Sequence, residues 1–227
     1  MEITYYGHSC LAVKVGVHRL LFDPFITGNP LASGIDVNAI ETDFILISHA
    51  HGDHMKDAMD IGQRCQAQLI TNNEMNGWFQ EKGWNNGIGL NHGGKLKTAF
   101  GTVRYVNAIH SSEFPDGRYG GNPGGFVLET EEGNFYFAGD TALTMDMKLI
   151  PIYCQLKFAM LPIGGYFTMD YHDAAIASDF IECNKIIGMH YDSFPPIKID
   201  HAEAKKVFEA KGKELILLSI GESIELV

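Results

Sequence analysis

The sequence has no hydrophobic run long enough to cross a membrane. Its longest apolar runs, such as residues 44–47 and 215–218, fall far short of the roughly 20 residues that a membrane-spanning helix requires. The chain begins Met1-Glu2-Ile3-Thr4, without the basic region and apolar stretch of a secretory signal. We therefore expect a cytoplasmic protein with no membrane partner.

Cysteine is scarce. The 227 residues include four cysteines, and none of them forms a Cys-x-x-Cys pair. This spacing argues against both a disulfide framework and a thiolate zinc site. We expect reduced and mostly buried thiols at Cys10, Cys65, Cys154 and Cys183.

Basic residues are outnumbered by acidic ones. The 17 lysines and arginines against 28 aspartates and glutamates give a formal net charge of −11. Such a surface repels polyanions, so we expect no nucleic-acid partner, and a function as an RNA-processing nuclease is disfavoured. A small molecule is the expected substrate, and a homo-oligomeric state is left open.

Apolar residues are plentiful and follow a pattern of short strands and helices. At 45% hydrophobic residues the chain can bury a sizeable core, and we expect one domain over residues 1–227. The predicted strands are residues 3–6, 11–15, 20–22, 44–47, 68–71, 103–107, 125–129, 135–138, 158–161, 186–189 and 215–218. The predicted helices are residues 55–64, 74–82, 171–182 and 201–211. Strands in blocks with separate helices indicate an α+β fold, and the glycine-rich residues 83–94 and 116–125 are expected to be surface loops.

One segment concentrates potential metal ligands. His49, His51, Asp53 and His54 lie within six residues, directly after the apolar strand predicted at residues 44–47. Imidazole and carboxylate ligands suit zinc, iron or manganese. The alternative, a chance accumulation of histidines in a polar loop, is much less favoured at this density.

Three more candidate ligands follow predicted strands elsewhere in the chain. His110, Asp140 and His190 come shortly after the strands predicted at residues 103–107, 135–138 and 186–189. Singly these positions are weak signals, because a lone histidine or aspartate after a strand is usually an ordinary turn residue. Together they predict a rigid platform for two metal ions.

This order of residues resembles the metallo-β-lactamase superfamily, whose pattern is His-x-His-x-Asp-His followed by a His, an Asp and a His. The resemblance implies one metal on His49, His51 and His110, a second metal on Asp53, His54 and His190, and Asp140 as the bridge between them.

A closer resemblance is carried by Gly7-His8-Ser9, by the segments 22–25 and 27–30, and by residues 136–141. These match UPF0173-type metal-dependent hydrolases related to the ascorbate-6-phosphate lactonase-like proteins. That resemblance implies a four-layer αβ/βα sandwich, the metallo-β-lactamase fold, with the metals at one edge between two sheets.

The expected reaction is hydrolysis of an ester, lactone or phosphoester bond of a small metabolite. Two neighbouring divalent ions lower the pKa of a bridging water, and the resulting hydroxide attacks the polarised bond. Zinc is the favoured metal, with manganese, iron and nickel as alternatives. Asp53 is the candidate for passing a proton to the leaving group.

Other polar residues near the cluster have two interpretations each. His8 either holds substrate or donates a proton at the mouth of the site, or makes only a structural hydrogen bond. Asp23 either hydrogen-bonds a ligand histidine or caps a turn. Tyr191 and Ser193 are candidate substrate contacts, whereas His92 is expected on the surface. His172 has no assigned role, and the aromatic residues Phe25, Trp78, Trp84, Phe114, Tyr119 and Phe194 are expected to serve packing.

Two further functions keep metal binding and change its use. A mononuclear iron thiol or persulfide dioxygenase also uses histidines and a carboxylate, and the identity of the bound metal would discriminate it. A purely structural metal-binding protein fits less well, because seven ligands for two ions leave coordination positions open to water.

Overall fold

A computed structural model describes residues 1–226 and contains two β-sheets with helices on their outer faces. The strands are β1 (Glu2–Gly7), β2 (Cys10–Val15), β3 (His18–Phe22), β4 (Phe44–Leu46), β5 (Gln68–Asn72), β6 (Gly87–Leu90), β7 (Lys95–Thr98), β8 (Gly101–Asn107), β9 (Gly124–Glu129), β10 (Asn134–Phe137), β11 (Leu156–Pro162), β12 (Lys185–Met189), β13 (Glu214–Ile216) and β14 (Ser223–Glu225). The helices are α1 (Gly52–Met55), α2 (Ala58–Cys65), α3 (Asn73–Glu81), α4 (Ile150–Tyr153), α5 (Tyr171–Phe180) and α6 (His201–Glu209).

The two sheets have mirrored organisation. The first runs β14-β1-β2-β3-β4-β5-β6, and the second runs β13-β12-β11-β10-β9-β8-β7. In the first sheet, β14 to β3 are antiparallel and β3 to β6 are parallel. In the second, β7 to β10 are antiparallel and β10 to β13 are parallel. In each sheet, therefore, parallel strands point their carboxyl ends to one edge.

Alternating burial divides the apolar residues between the layers. Phe22 of β3 faces the second sheet, and its ring stacks on that of Phe137 at 4.8 Å. Its neighbour Leu21 points the other way, into a cluster with Ile61 of α2 and Phe79 of α3. Helices α5 and α6 cover β11 and β13 of the second sheet. These layers confirm the predicted α+β four-layer sandwich.

The helix predicted over residues 55–64 is confirmed as α2, but it begins only at Ala58, because the chain breaks between α1 and α2. Asp57 causes the break through bonds to a distant loop. Its carboxylate Oδ2 accepts the Ile26 and Thr27 N–H groups at 2.6 and 2.9 Å, and its own N–H donates to the Pro24 carbonyl at 3.0 Å. Tertiary hydrogen bonds therefore override local helical periodicity here.

The glycine-rich residues 83–94, expected to be a loop, contain strand β6. Glycine is needed there for close packing, since a Cβ on Gly87 would lie 2.2 Å from the Asn76 side chain and one on Gly89 would lie 2.8 Å from the Asn73 backbone. Helix α3 thus packs directly on the strand backbone. Strands β7 and β14 and helix α4 were also not predicted.

The remaining sequence expectations on packing hold in part. All four cysteines are free thiols, with Cys10 and Cys183 buried and Cys65 and Cys154 partly buried. Asp170 caps α5, accepting the N–H groups of His172 and Asp173. Within residues 1–226, no helix combines the length and apolar character needed to span a bilayer.

Candidate metal centre

Six polar residues lie just beyond the ends of strands at one edge of the sandwich. Asp23 directly follows β3 and His190 directly follows β12, whereas His49, His110 and Asp140 follow β4, β8 and β10 by three residues. His8 occupies the turn between β1 and β2. Because both sheets end here, side chains that are distant in sequence converge on one site.

The segment from His49 to His54 enters the site as a tight turn. The His54 N–H donates to the His51 carbonyl at 3.0 Å, which starts the short helix α1 and aims Asp53 and His54 inward. His49 Nε2 lies 3.0 Å from His51 Nδ1, and His51 Nε2 lies 3.2 Å from the Ser111 hydroxyl. Ser111, which directly follows His110, was not identified from the sequence.

Asp140 lies at the centre of the histidines. Its Oδ2 atom lies 2.9 Å from His190 Nε2 and 3.2 Å from His54 Nε2. The same oxygen lies 3.6 Å from His110 Nε2 and 3.9 Å from His49 Nε2. One buried carboxylate oxygen therefore faces four imidazoles.

The donor atoms fall into three groups, in each of which all atoms lie within 4.8 Å of one another, and one of them, Asp23 with His49 and His54, shares its histidines with the other two. The first group is His49, His51 and His110, and the second is His8, Asp53, His54 and His190. All seven residues that the sequence analysis predicted as metal ligands are brought together. His8, which was not predicted as a ligand, joins the second group.

Asp23 sets the orientation of two of these histidines. Its Oδ2 lies 2.7 Å from His54 Nδ1 and accepts the Ser48 hydroxyl at 2.6 Å. Since that hydroxyl donates to Asp23, it is left to accept the Nδ1–H of His49, 2.9 Å away. Both imidazoles consequently keep a proton on Nδ1 and direct Nε2 into the site. Asp23 is thus a hydrogen-bond partner of a histidine, as one of its two interpretations held.

Burial and neighbouring charge shift the protonation of the site. Burial lowers the pKa of His49, His51 and His110, which keeps them neutral. Burial raises the pKa of Asp140, but the facing His190 and His54 outweigh it, and the net pKa lies well below its usual range. Burial lowers the pKa of His54, but Asp140 and Asp23 outweigh it and raise that pKa well above its usual range. His54 therefore has to lose a proton when a metal ion binds, whereas the three neutral histidines and the ionised Asp140 already have the protonation states that metal ions require.

His8 is enclosed, with 1% of its surface exposed, and does not stand at an open mouth. Its Nδ1 lies 3.0 Å from the Ser193 hydroxyl and its Nε2 lies 3.3 Å from Asp53 Oδ2. The rings of Phe25 and Phe194 pack edge-on against it, so these two aromatics belong to the site and do not serve packing alone. Burial, together with His190, lowers the pKa of His8 to about 4.

Three of these residues have strained backbone conformations. His8, Asp23 and His190 have positive φ angles of 55°, 40° and 55°. Left-handed conformations cost free energy for residues other than glycine and persist where the surroundings impose them. Strain concentrated in three residues of one site indicates that their placement has a function.

Other residues considered from the sequence lie outside this cluster. His92 is exposed, as predicted, and its Nε2 lies 2.9 Å from the Pro123 carbonyl. His172 is exposed on α5. Tyr191 is buried and stacks on Tyr5, so it is a core residue and not a substrate contact.

Comparison with known proteins agrees with this fold and site. Residues 2–190 match the β-lactamase superfamily domain. A UPF0173 metal-dependent hydrolase from Flavobacterium johnsoniae is 58% identical over 226 residues, and the match covers 100% of both chains. One from Christiangramia forsetii is 57% identical over 227 residues, again covering 100% of both.

A solved structure is similar over nearly the same length. The metallo hydrolase from the archaeon Ignicoccus hospitalis is 35% identical, with a TM-score of 0.88, and the match covers 98% of this chain and 97% of that one. The metallo-β-lactamase fold implied by the sequence resemblance is therefore confirmed, whereas the relation to ascorbate-6-phosphate lactonase-like proteins stays a prediction. With relatives matched from end to end, the chain belongs to the UPF0173 family of metal-dependent hydrolases in the β-lactamase superfamily.

Proposed function

We propose that this hydrolase uses two divalent metal ions to cleave an ester, lactone or phosphoester bond of a small metabolite. One ion is held by His49, His51 and His110, the other by Asp53, His54 and His190, and Asp140 bridges them. The observation that carries the proposal is the Asp140 Oδ2 atom, within 3.9 Å of the Nε2 atoms of four histidines that belong to both groups.

Unpaired buried atoms fit such ions. Within residues 1–226, Asp140 Oδ1 and His54 Nε2 are buried without a hydrogen-bond partner. Buried polar atoms normally find partners, because leaving one unpaired costs about 1–3 kcal/mol. Metal coordination supplies the missing interaction for both.

The donor set favours zinc. Every proposed ligand atom is an imidazole nitrogen or a carboxylate oxygen, which suits zinc and also manganese, iron or nickel. Two such ions lower the pKa of a water between them and polarise the bond under attack. Since none of the four cysteines lies in either ligand group, a thiolate site is not part of the proposal.

The chain's own side chains manage the proton. In hydrolysis the water oxygen bonds to the carbonyl carbon or phosphorus, the bond to the leaving oxygen breaks, and that oxygen needs a proton. Asp53, whose side chain is 32% accessible, is placed to take the proton that the attacking water loses and to pass it to that leaving oxygen. His8 Nε2 lies 3.3 Å from Asp53 Oδ2 without forming a hydrogen bond, and the ring is positioned by the contact of its Nδ1 with the Ser193 hydroxyl at 3.0 Å.

Elemental analysis of the purified protein, with turnover of a panel of lactones, esters and phosphodiesters, tests the proposal. We expect about two zinc or manganese ions per chain and hydrolysis of at least one bond class. His51→Ala should lose part of the bound metal and reduce kcat by about 100-fold or more. His172→Ala, at an exposed position on α5, is the matched control and should behave like the wild type.

Two results would contradict the proposal. A His51→Ala variant with undiminished metal content and turnover would remove the ligand assignment. One iron per chain without hydrolysis would instead support the mononuclear iron dioxygenase that the sequence left as an alternative.

A further inference from the structure

The loop between β11 and α5 is attached to the metal centre at both ends. The Ile163 N–H donates to the Met189 carbonyl at 3.0 Å, next to His190. The Met169 N–H donates to the Thr141 carbonyl at 3.0 Å, next to Asp140. The side chains of this loop are therefore held near two of the proposed ligands, His190 and Asp140.

The middle of the loop is a strained turn. Gly165 and Tyr166 both have positive φ angles, of 69° and 59°, and the Phe167 N–H donates to the Gly165 carbonyl at 2.7 Å. Three-residue turns of this hand are rare and strained when the central residue is not glycine. A tyrosine at that position needs a compensating function.

That turn leaves two aromatic side chains in solvent. Tyr166 is 80% exposed and Phe167 is 51% exposed, and their rings contact each other edge to face at 4.7 Å. Aromatic rings gain much of their free energy from burial, which these two do not obtain in the free protein. Backbone strain and exposed rings together are typical of a surface that binds an apolar group.

Ile109 is a third exposed apolar residue, and it is hydrogen-bonded to Thr141, the residue that also binds the loop. Ile109, which is 52% exposed, precedes His110. Its N–H donates to the Thr141 hydroxyl at 3.0 Å, while the Thr141 carbonyl holds Met169. Thr141 thus connects both apolar segments to the backbone that carries Asp140.

The charges of the site do not suggest recognition of a polyanion. In the part of the chain that the structure describes, Asp23, Asp53 and Asp140 form ion pairs with histidines only. Of the basic residues near the site in sequence, Lys56 lines a separate cavity with Trp78 and Lys82, and Arg118 pairs with Glu81 and Asp116. Lysine or arginine forks are the usual means of holding phosphate groups.

We propose that Tyr166, Phe167 and Ile109 form an apolar wall that determines specificity, and that the substrate is an ester or lactone with an alkyl or aryl group. The inference rests on the proposed hydrolytic function and narrows its substrate class away from phosphoesters. The two aromatic rings contact the apolar group of the substrate while its carbonyl faces the metal centre.

Binding of carboxylates, the products of ester hydrolysis, tests the wall without requiring turnover. Calorimetry on the metal-loaded protein should show that 4-phenylbutyrate binds about 10–100-fold more tightly than acetate, the range expected for burying one aromatic group. In the double variant Tyr166→Gly, Phe167→Ala this ratio should fall about tenfold. Glycine accepts the positive φ at position 166, so the variant should fold.

The control is Val17→Ser, another exposed apolar residue at 82% exposure, in the turn between β2 and β3. It should keep the wild-type ratio. A wild type without preference for 4-phenylbutyrate, or a double variant with an unchanged ratio, would overturn the inference.

Hydrolysis of p-nitrophenyl esters from acetate to hexanoate separates this inference from the proposed function. Wild-type kcat/KM should rise up to about fourfold for each added methylene that the wall buries, and the rise should be smaller in the double variant. If the carboxylate preference is present and no ester, lactone or phosphodiester is cleaved, the apolar wall stands and the proposed function fails. Cleavage of phosphodiesters alone would overturn the inferred substrate class and leave the proposed function standing.

Discussion

Asp23 is not one of the proposed metal ligands, but its hydrogen bonds orient two of them. Its buried carboxylate bonds His54 directly and His49 through the Ser48 hydroxyl, and its Oδ1 accepts the Ser48 N–H at 2.7 Å. A single side chain therefore fixes the tautomer of one histidine in each ligand group. This arrangement requires an ionised acceptor that contributes both oxygens.

We predict that Asp23→Asn lowers metal affinity about 10–100-fold, because an amide cannot accept from both His54 and Ser48 with the same oxygen geometry. Competition with a chromophoric zinc chelator measures this. Asp36→Asn, which alters the exposed cap of a short 3₁₀ helix at residues 37–39, is the control. Equal affinities in wild type and Asp23→Asn would show that the tautomers are set by other groups.

At the scale of secondary-structure elements, close backbone approach limits which residues fit. Gly62 lies in α2, where alanine would ordinarily favour the helix. A Cβ at this position, however, would lie 2.2 Å from the Trp84 ring. Gly77 in α3 has nothing within 4 Å of such a Cβ. Close packing against Trp84 therefore requires glycine at position 62, whereas no contact requires it at position 77.

We therefore expect alanine at these two positions to change the free energy of unfolding in opposite directions. Gly62→Ala should lower the free energy of unfolding by about 1–3 kcal/mol through overpacking, whereas Gly77→Ala should raise it by roughly 0.5–1 kcal/mol through helix propensity. Urea unfolding of both variants measures the difference. Stabilisation by Gly62→Ala would mean that Trp84 moves aside at little cost.

At the scale of the whole molecule, metal ions should stabilise the fold because the residues proposed to hold them come from both sheets. Removal with a chelator should lower Tm by roughly 5–10 °C, if the ions are normally present at about 100 times their Kd. Differential scanning calorimetry before and after chelation tests this. Readdition of zinc should restore Tm, and a Tm unaffected by chelation would count against ions in this site.

How far the sequence predicts this molecule depends on whether a signal is local. His49, His110, Asp140 and His190 follow apolar strands in the chain itself, so the residues alone predict the site and an α+β fold, whereas the four-layer sandwich was implied by the family resemblance. The break at Asp57 could not, because its bonding partners lie some 30 residues earlier.

Glycine and aromatic residues explain most of the remaining misses. Gly87 and Gly89 suggested a loop, since nothing in the sequence shows that α3 packs against them. Tyr166 and Phe167 gave no signal either, because exposure and backbone strain exist only in the folded chain. Thr141 likewise connects two loops through contacts that have no sequence pattern.

The positions of the proposed ligands along the chain also determine the order in which the two ligand groups can form. His49 and His54 follow a strand of the first sheet, while Asp140 and His190 follow strands of the second. His49, His51 and His110 all lie in the first half of the chain, whereas the second proposed group is complete only after His190 has been added, so the second ion is captured late. Acquisition of the full metal content would then report that synthesis and folding of a chain are finished.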